Sequence, residues 1–86
     1  MKQFQHTVRD PLGIHARLAG MISRLAKNYD DTAITVSFNG KNANASALLR
    51  LMGLGAKNGS RVTITCDGPS EIEACIAMQN FFQNNL

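Results

Sequence analysis

The sequence predicts an α+β domain, an open-faced two-layer sandwich in which three helices cover one face of a four-stranded, mainly antiparallel sheet. The hydrophobic pattern changes between strand and helix periods in the order β-α-β-β-α-β-α. Every predicted strand has one polar face, so only the other face needs a covering layer. A chain of 86 residues without an internal repeat has the size of one domain, which we assign to residues 1–86.

The first predicted strand covers residues 2–8, and the positions that share its inward face are Phe4, His6 and Val8. We interpret His6 as a core or edge histidine without a functional role. Pro11 and Gly13 interrupt the pattern, so residues 9–13 are predicted to form a turn or loop.

An amphipathic helix is predicted from Ala16 to about Asn28, because apolar residues recur there at spacings of three and four. Its apolar stripe consists of Leu18, Ile22, Leu25 and Tyr29. His15 lies at or next to the N-cap of this helix. The helix therefore begins directly after a titratable, nucleophilic side chain.

A β-hairpin follows over residues 32–45. Its first strand, 32–38, alternates with Ile34, Val36 and Phe38 inward. Asn39 and Gly40 favour a type I′ turn because both residue types tolerate positive φ. The returning strand, 41–45, is short and polar, which is typical of a sheet edge.

The second helix is predicted over residues 46–55, with Ser46 as its N-cap and a stop at Gly53 or Gly55. This segment carries more large apolar residues than one small core accommodates: Leu48, Leu49, Leu51, Met52 and Leu54. Either some of them form an exposed patch that contacts a partner, or the core is packed more tightly than usual.

The last strand is predicted over residues 61–66, with Val62, Ile64 and Cys66 inward. Residues 70–73 then fit a capping box for the third helix. The predicted apolar stripe of that helix consists of Ile72, Cys75, Ile76 and Phe82. The two cysteines have neither CxxC nor metal-ligand spacing, so we interpret them as reduced core thiols, with a disulfide between them left open.

Composition excludes several functional classes. The net charge of +3 is a mild bias, short of the dense basic patch of a nucleic-acid binder. An RNA-recognition sheet would need exposed aromatic residues on its central strands. Residues 41–45 contain none, and Phe4 and Phe38 share faces with core aliphatic residues. No metal cluster, paired carboxylates or glycine-rich phosphate loop is present, so we expect neither an enzyme nor a cofactor. No membrane span or signal-peptide pattern is visible, and we expect a cytoplasmic protein without membrane insertion.

The position of His15 predicts chemistry with phosphate. The first turn of a helix has free backbone N–H groups, and its dipole favours negative charge. A histidine of ordinary pKa is mostly neutral near pH 7, so a ring nitrogen is available as a nucleophile. A phosphoryl group accepted by His15 would lie beside the N–H groups of Ala16, Arg17 and Leu18 and beside the Arg17 side chain.

A basic face of the first helix leads away from His15. It consists of residues at helical spacing that are rotated from the apolar stripe: Arg17, Gly20, Met21, Arg24 and Lys27 or Asn28. Gly20 lowers helix propensity by about 1 kcal/mol relative to alanine. Its presence indicates either close approach by a partner or tight packing against the sheet.

The chain resembles the HPr family of histidine-containing phosphocarrier proteins, which serve the phosphoenolpyruvate-dependent sugar phosphotransferase system. The resemblance spans the whole chain and is carried by three segments, Gly13-Ile14-His15-Ala16-Arg17, Asn39-Gly40-Lys41 and Leu51-Met52-Gly53-Leu54-Gly55. It implies that His15 accepts a phosphoryl group on Nδ1 from phosphorylated enzyme I and passes it to IIA domains of sugar transporters, with Arg17 close to the phosphate. It also implies that both partners bind residues of the first two helices, Ala16, Arg17, Gly20, Met21, Arg24, Lys27, Leu48, Leu49 and Met52. Because one face must serve successive partners, we expect a monomer.

The sequence departs from the family pattern at two positions. Leu18 stands where the family usually has proline, which suits a first helical turn because its φ is preset. The regulatory serine of many family members corresponds to Ala47, and Ser46 is its neighbour. We interpret Ser46 as an N-cap, with phosphorylation by an HPr kinase as the alternative. The departures also leave open a regulatory module that binds partners without carrying phosphate.

Overall fold

The computed structural model describes residues 1–86, and the four strands and three helices form in the predicted order. The elements are β1 (Lys2–Thr7), α1 (Ala16–Lys27), β2 (Ala33–Phe38), β3 (Lys41–Asn44), α2 (Leu48–Gly53), β4 (Arg61–Asp67) and α3 (Glu71–Asn85). The predicted α+β class is confirmed. None of the three helices combines the length and the apolar composition that crossing a membrane requires.

The strands form one sheet in the order β1-β4-β2-β3, and every neighbouring pair is antiparallel. The β2–β3 hairpin turns at Asn39 and Gly40, whose φ angles of 53° and 80° are those that a type I′ turn requires. Across the open face, polar side chains lie in register, as in the row formed by Gln3, Thr65, Thr35 and Asn44. This face has no aromatic platform for stacking nucleic-acid bases.

The core lies between the sheet and the helices. The inward positions predicted for β2 and β4 are buried, with Phe38 partly buried at the end of its strand. His6 packs edge-on against Phe82, with ring centroids 5.5 Å apart, in agreement with its interpretation as a core or edge residue. Both cysteines are free thiols, and burial raises the pKa of the Cys66 thiol to about 11.

The predicted apolar stripe of α3 is wrong in part. The buried residues of α3 are Ala74, Met78 and Phe82, while Ile72 and Ile76 are 57% and 56% exposed. Apolar residues surround most of this helix, so the sequence pattern contains little information about which side faces the sheet. Small Ala74 lies against the sheet, and the two isoleucines remain in solvent.

The predicted capping box of α3 does not form. Ser70 is the N-cap, but its side chain makes no capping bond and instead donates to Asp31 Oδ2 at 3.1 Å. The Ser70 N–H donates to Thr32 Oγ1 at 2.9 Å. Glu71, not Glu73, accepts a backbone N–H, that of Gly68 at 3.2 Å. Contacts with the loop before β2 therefore set the start of α3.

The prediction of Ser46 as the N-cap of α2 is also wrong. The helix begins at Leu48 with Ala47 at the N-cap. Asn44 Oδ1 accepts both the N–H and the hydroxyl of Ser46, at 2.9 and 2.7 Å, which holds Ser46 in a turn before the helix. At the other end, Gly55 adopts φ +75° just beyond the last turn, as a predicted helix stop requires.

The loop before α1 is docked against the segment between α2 and β4. The Ile14 N–H donates to the carbonyl oxygen of Ala56 at 3.1 Å. Gly13 has φ +69°, and a Cβ there would overlap the Ala56 carbonyl oxygen and come within 2.6 Å of Lys57 Cα. Only glycine fits this contact, which determines where α1 begins.

We expect Gly13→Ala to destabilise the protein more than Gly55→Ala. Both glycines have similar positive φ angles, but nothing lies within 4 Å of a Cβ at Gly55. Each alanine costs about 1–2 kcal/mol for its left-handed backbone conformation, and Gly13→Ala adds the overlap with backbone atoms. Urea denaturation of both variants measures the difference. Equal losses of unfolding free energy would show that the loop tolerates the extra atom.

Candidate functional site

His15 is the N-cap residue of α1, with φ −94° and ψ 177°. Its side chain makes no capping hydrogen bond. The first N–H of the helix to find a backbone acceptor is that of Ala19, which donates to the His15 carbonyl oxygen at 2.8 Å. The N–H groups of Ala16, Arg17 and Leu18 have no acceptor, so the helix presents three free donors beside the imidazole.

The imidazole lies beside a carboxylate that the sequence interpretation missed. His15 Nε2 is 4.0 Å from Asp10 Oδ1, and the two side chains are 26% and 21% exposed. Asp10 occupies the first position of a turn whose next residue is Pro11, an arrangement typical of type I turns. That preference is the one sequence signal from which the position of the carboxylate could have been inferred.

The side chain of Arg17 extends along the helix surface. Its Nη1 is 3.8 Å from Met21 Sδ, and the guanidinium has no carboxylate within 4.0 Å. Arg17 thus contributes a backbone N–H at the helix start and an unpaired positive charge on the adjacent surface.

Leu18 differs in environment from the other residues of the first turn. Its side chain is buried in the core, with 1% exposure, while Ala16 and Arg17 are exposed. The leucine therefore supplies both a core side chain and a third free N–H. A proline at this position would remove that donor.

The two helices are joined by a hydrogen bond in which Ser23 of α1 donates to the Ser46 carbonyl oxygen just before α2, at 2.9 Å. Leu51 and Leu54 are buried, whereas Leu49 is 80% exposed. Leu48 and Met52 are exposed at 39% and 40%. The expectation that part of the apolar surplus reaches the surface is confirmed.

Gly20 does not pack against the sheet. A Cβ at this position would meet a single atom, Arg24 Nη1, at 3.9 Å. Of the two explanations for this glycine, tight internal packing is excluded. We define the α1–α2 surface as Ala16, Arg17, Gly20, Met21, Arg24, Lys27, Leu48, Leu49 and Met52.

His15 lies outside both cavities of the protein. The larger, of about 550 Å³, is lined by residues that include Asp30, Asp31 and Asp67. The smaller borders Asp10 but not His15. No group of three or more His, Cys, Asp or Glu residues is arranged to hold a metal ion. The imidazole lines neither cavity, and its side chain is 26% exposed.

Comparison with known proteins covers almost the whole chain. A family model described as the PTS HPr component phosphorylation site matches residues 2–84. The phosphocarrier protein HPr of Mycoplasma genitalium is 34% identical over 85 residues, which cover 99% of this chain and 97% of that protein. The phosphocarrier protein HPr of Mycoplasma pneumoniae is 38% identical over 79 residues, covering 92% and 90%.

The fold is also similar to that of a solved structure. The crystal structure of HPr-C-His from Thermoanaerobacter tengcongensis has a TM-score of 0.91 and 27% sequence identity, and the match covers 98% of this chain and 93% of that chain. The similarity therefore includes the loop before α1 as well as the sheet.

Proposed function

The chain belongs to the HPr family of the phosphotransferase system and is a phosphocarrier, and we propose that His15 is the residue that carries the phosphoryl group. The observation that best supports this assignment is its N-cap position beside three N–H groups without acceptors. Such a helix start favours an anion because the free donors and the helix dipole both act on it. The protein is a carrier rather than an enzyme proper, since its partners catalyse the transfer.

In the proposed reaction, the lone pair of His15 Nδ1 attacks the phosphorus of a phosphorylated donor protein. An N–P bond forms while the bond to the donor breaks, and its electron pair leaves with the donor. The transferred phosphoryl oxygens accept hydrogen bonds from the N–H groups of Ala16, Arg17 and Leu18. Charge-assisted bonds of this type contribute roughly 1.5–3 kcal/mol each. The guanidinium of Arg17, which has no carboxylate partner, adds positive charge beside the product.

Enzyme I is the proposed donor and a IIA domain the proposed acceptor, and both are proposed to bind the α1–α2 surface. This surface combines exposed cations with exposed apolar side chains and adjoins His15. Because no cavity encloses the imidazole, two different active sites can reach the same nitrogen in turn. We propose a monomer that works in the cytoplasm, where a single face serves both partners.

We assign a structural role to Ser46, even though it is not an N-cap. Its hydroxyl and N–H are bonded to Asn44, and its carbonyl oxygen joins it to α1 through Ser23. The family position of the regulatory serine is Ala47, which has no hydroxyl. An acid-stable phosphate on Ser46 after incubation with ATP and an HPr kinase would instead assign it to regulation.

The first test is intact-mass spectrometry after incubation with phosphoenolpyruvate and the cognate enzyme I. We expect one acid-labile phosphoryl adduct on the wild type and none on His15→Ala, because only His15 lies beside the free helix N–H groups. A IIA domain added afterwards is expected to remove the adduct. The control variant His6→Ala should still be phosphorylated. A wild type without an adduct would favour the regulatory module that binds partners without carrying phosphate.

The second test isolates the Leu18 N–H. We expect Leu18→Pro to accept phosphate still, but with an equilibrium constant for transfer from enzyme I about tenfold lower than that of Leu18→Val, because one charge-assisted hydrogen bond is missing. Valine and proline side chains have the same number of heavy atoms, so the pair differs mainly in the N–H. Equal equilibrium constants would show that the Leu18 N–H does not bind the phosphoryl group. A wild type that is inactive until Leu18 is replaced by proline would contradict the proposal that leucine is tolerated.

The third test concerns the partner surface. We expect Leu49→Ser to raise the KM of the carrier in transfer from enzyme I about tenfold and to leave kcat nearly unchanged, because it removes an exposed apolar contact distant from the reacting atoms. Ile76→Ser on α3 is the matched control, since Ile76 is also an exposed aliphatic residue but lies outside the α1–α2 surface. An equal effect of both variants would show that α3 takes part in binding.

A further inference from the structure

Asp10 stands next to the imidazole without a role in the phosphate site described above. Its Oδ1 is 4.0 Å from His15 Nε2, and this is the single ion-pair contact that either side chain makes. No lysine or arginine lies within 4.0 Å of the Asp10 carboxylate. Both side chains are about three-quarters buried. The carboxylate is therefore partly shielded from water and has no competing cation.

We propose that Asp10 is a positioning residue that holds the proton of His15 on Nε2 and thereby makes Nδ1 the nitrogen that accepts the phosphoryl group. This inference rests on the proposed function of His15. In this proposal, a residue of the loop before α1 determines which of the two ring nitrogens of His15 accepts the phosphoryl group.

The position of the carboxylate is fixed by the loop. Asp10 Oδ1 accepts the N–H of Leu12 at 2.8 Å, and the Asp10 carbonyl oxygen accepts the N–H of Gly13 at 3.0 Å. The ring of Pro11 restricts φ between these two bonds. Gly13 and Ile14 are in turn docked on Ala56. The carboxylate and the helix start thus belong to one hydrogen-bonded loop.

A neutral imidazole has one protonated nitrogen and one nitrogen with a free lone pair, and only the latter attacks phosphorus. A carboxylate beside Nε2 favours the tautomer with hydrogen on Nε2, because that N–H points towards negative charge. The distance of 4.0 Å is longer than a hydrogen bond. Hydrogen bonds of catalytic groups are often long in the absence of the reactant and shorten when it binds.

The same carboxylate favours the product of attack by Nδ1. The ring keeps its proton on Nε2 while the N–P bond forms and the donor leaves with the bonding electrons, so the imidazole becomes cationic. Asp10 then faces a positive ring. Attack by Nε2 would instead place the phosphoryl oxygens against the carboxylate, where two negative groups repel each other.

The variant Asp10→Asn removes the negative charge of the side chain and keeps its shape. Asparagine keeps a side-chain oxygen that can accept the Leu12 N–H and thus preserve the turn, but it has no negative charge. Asp30→Asn is the control for a change in net charge, because Asp30 is exposed and lies beyond the opposite end of α1, a helix about 18 Å long. Urea denaturation verifies that both variants fold.

The readout is the tautomer of His15 in protein labelled with ¹⁵N-histidine, measured by NMR at a pH of about 8.5, where an ordinary histidine is neutral. We expect the ratio of the Nε2–H to the Nδ1–H form to fall about fivefold in Asp10→Asn, as a charged acceptor is replaced by a neutral one, and to stay unchanged in Asp30→Asn. After phosphorylation, the wild type is expected to carry phosphate on Nδ1 alone, and Asp10→Asn to accept it more slowly and partly on Nε2.

An unchanged tautomer ratio and an unchanged site of phosphorylation in Asp10→Asn would overturn this inference and leave the carrier function intact. Absence of phosphate on the wild type would instead overturn the assignment of His15. The tautomer measurement needs no partner protein, so it distinguishes the two failures.

Discussion

The contact between the loop before α1 and the backbone of Ala56 is the constraint on which the rest of the site depends. It consists of one main-chain hydrogen bond, from Ile14, and one close backbone approach that Gly13 permits. This contact fixes the residue at which helical geometry begins. The imidazole and the three free N–H groups follow this contact directly in the chain, and the Asp10 carbonyl oxygen is joined to the same loop because it accepts the Gly13 N–H.

The start of α1 lacks the side-chain cap that stabilises many helices. Serine, threonine, aspartate or asparagine at an N-cap typically stabilises a protein by about 1 kcal/mol relative to alanine. His15 makes no such bond, and no acidic residue lies in the first turn of the helix. The helix end is thus left with donors available for an external anion. Leu18 and Ile22 of the same helix are buried in the core, and this tertiary packing stabilises α1.

The sequence predicted those elements whose hydrophobic or turn pattern is compatible with only one local structure. Alternation determined the inward faces of β2 and β4, and Asn39-Gly40 determined the hairpin turn. The sequence was insufficient where several local structures have similar energies. Because α3 is apolar on nearly all sides, its pattern did not show that Ala74 is one of its buried residues. The Ser46 hydroxyl donates to Asn44 and therefore does not cap α2. Asp10 lies near His15 because of the way the turn that begins at Asp10 packs in the folded protein. The spacing of hydrophobic residues in the sequence contains no information about that packing.

The strand order has a consequence for biosynthesis. β4 lies between β1 and β2, so two of the three strand pairs in the sheet require residues 61–67. The Ala56 anchor of the loop that carries His15 precedes that strand, separated from it by residues 57–60. A nascent chain that ends before β4 leaves β1 unpaired, and long-range pairings of this kind form late and slowly. β1 therefore finds its partner in the sheet only after residues 61–67 have left the ribosome, and the loop that carries His15 has no docking site until Ala56 has been made.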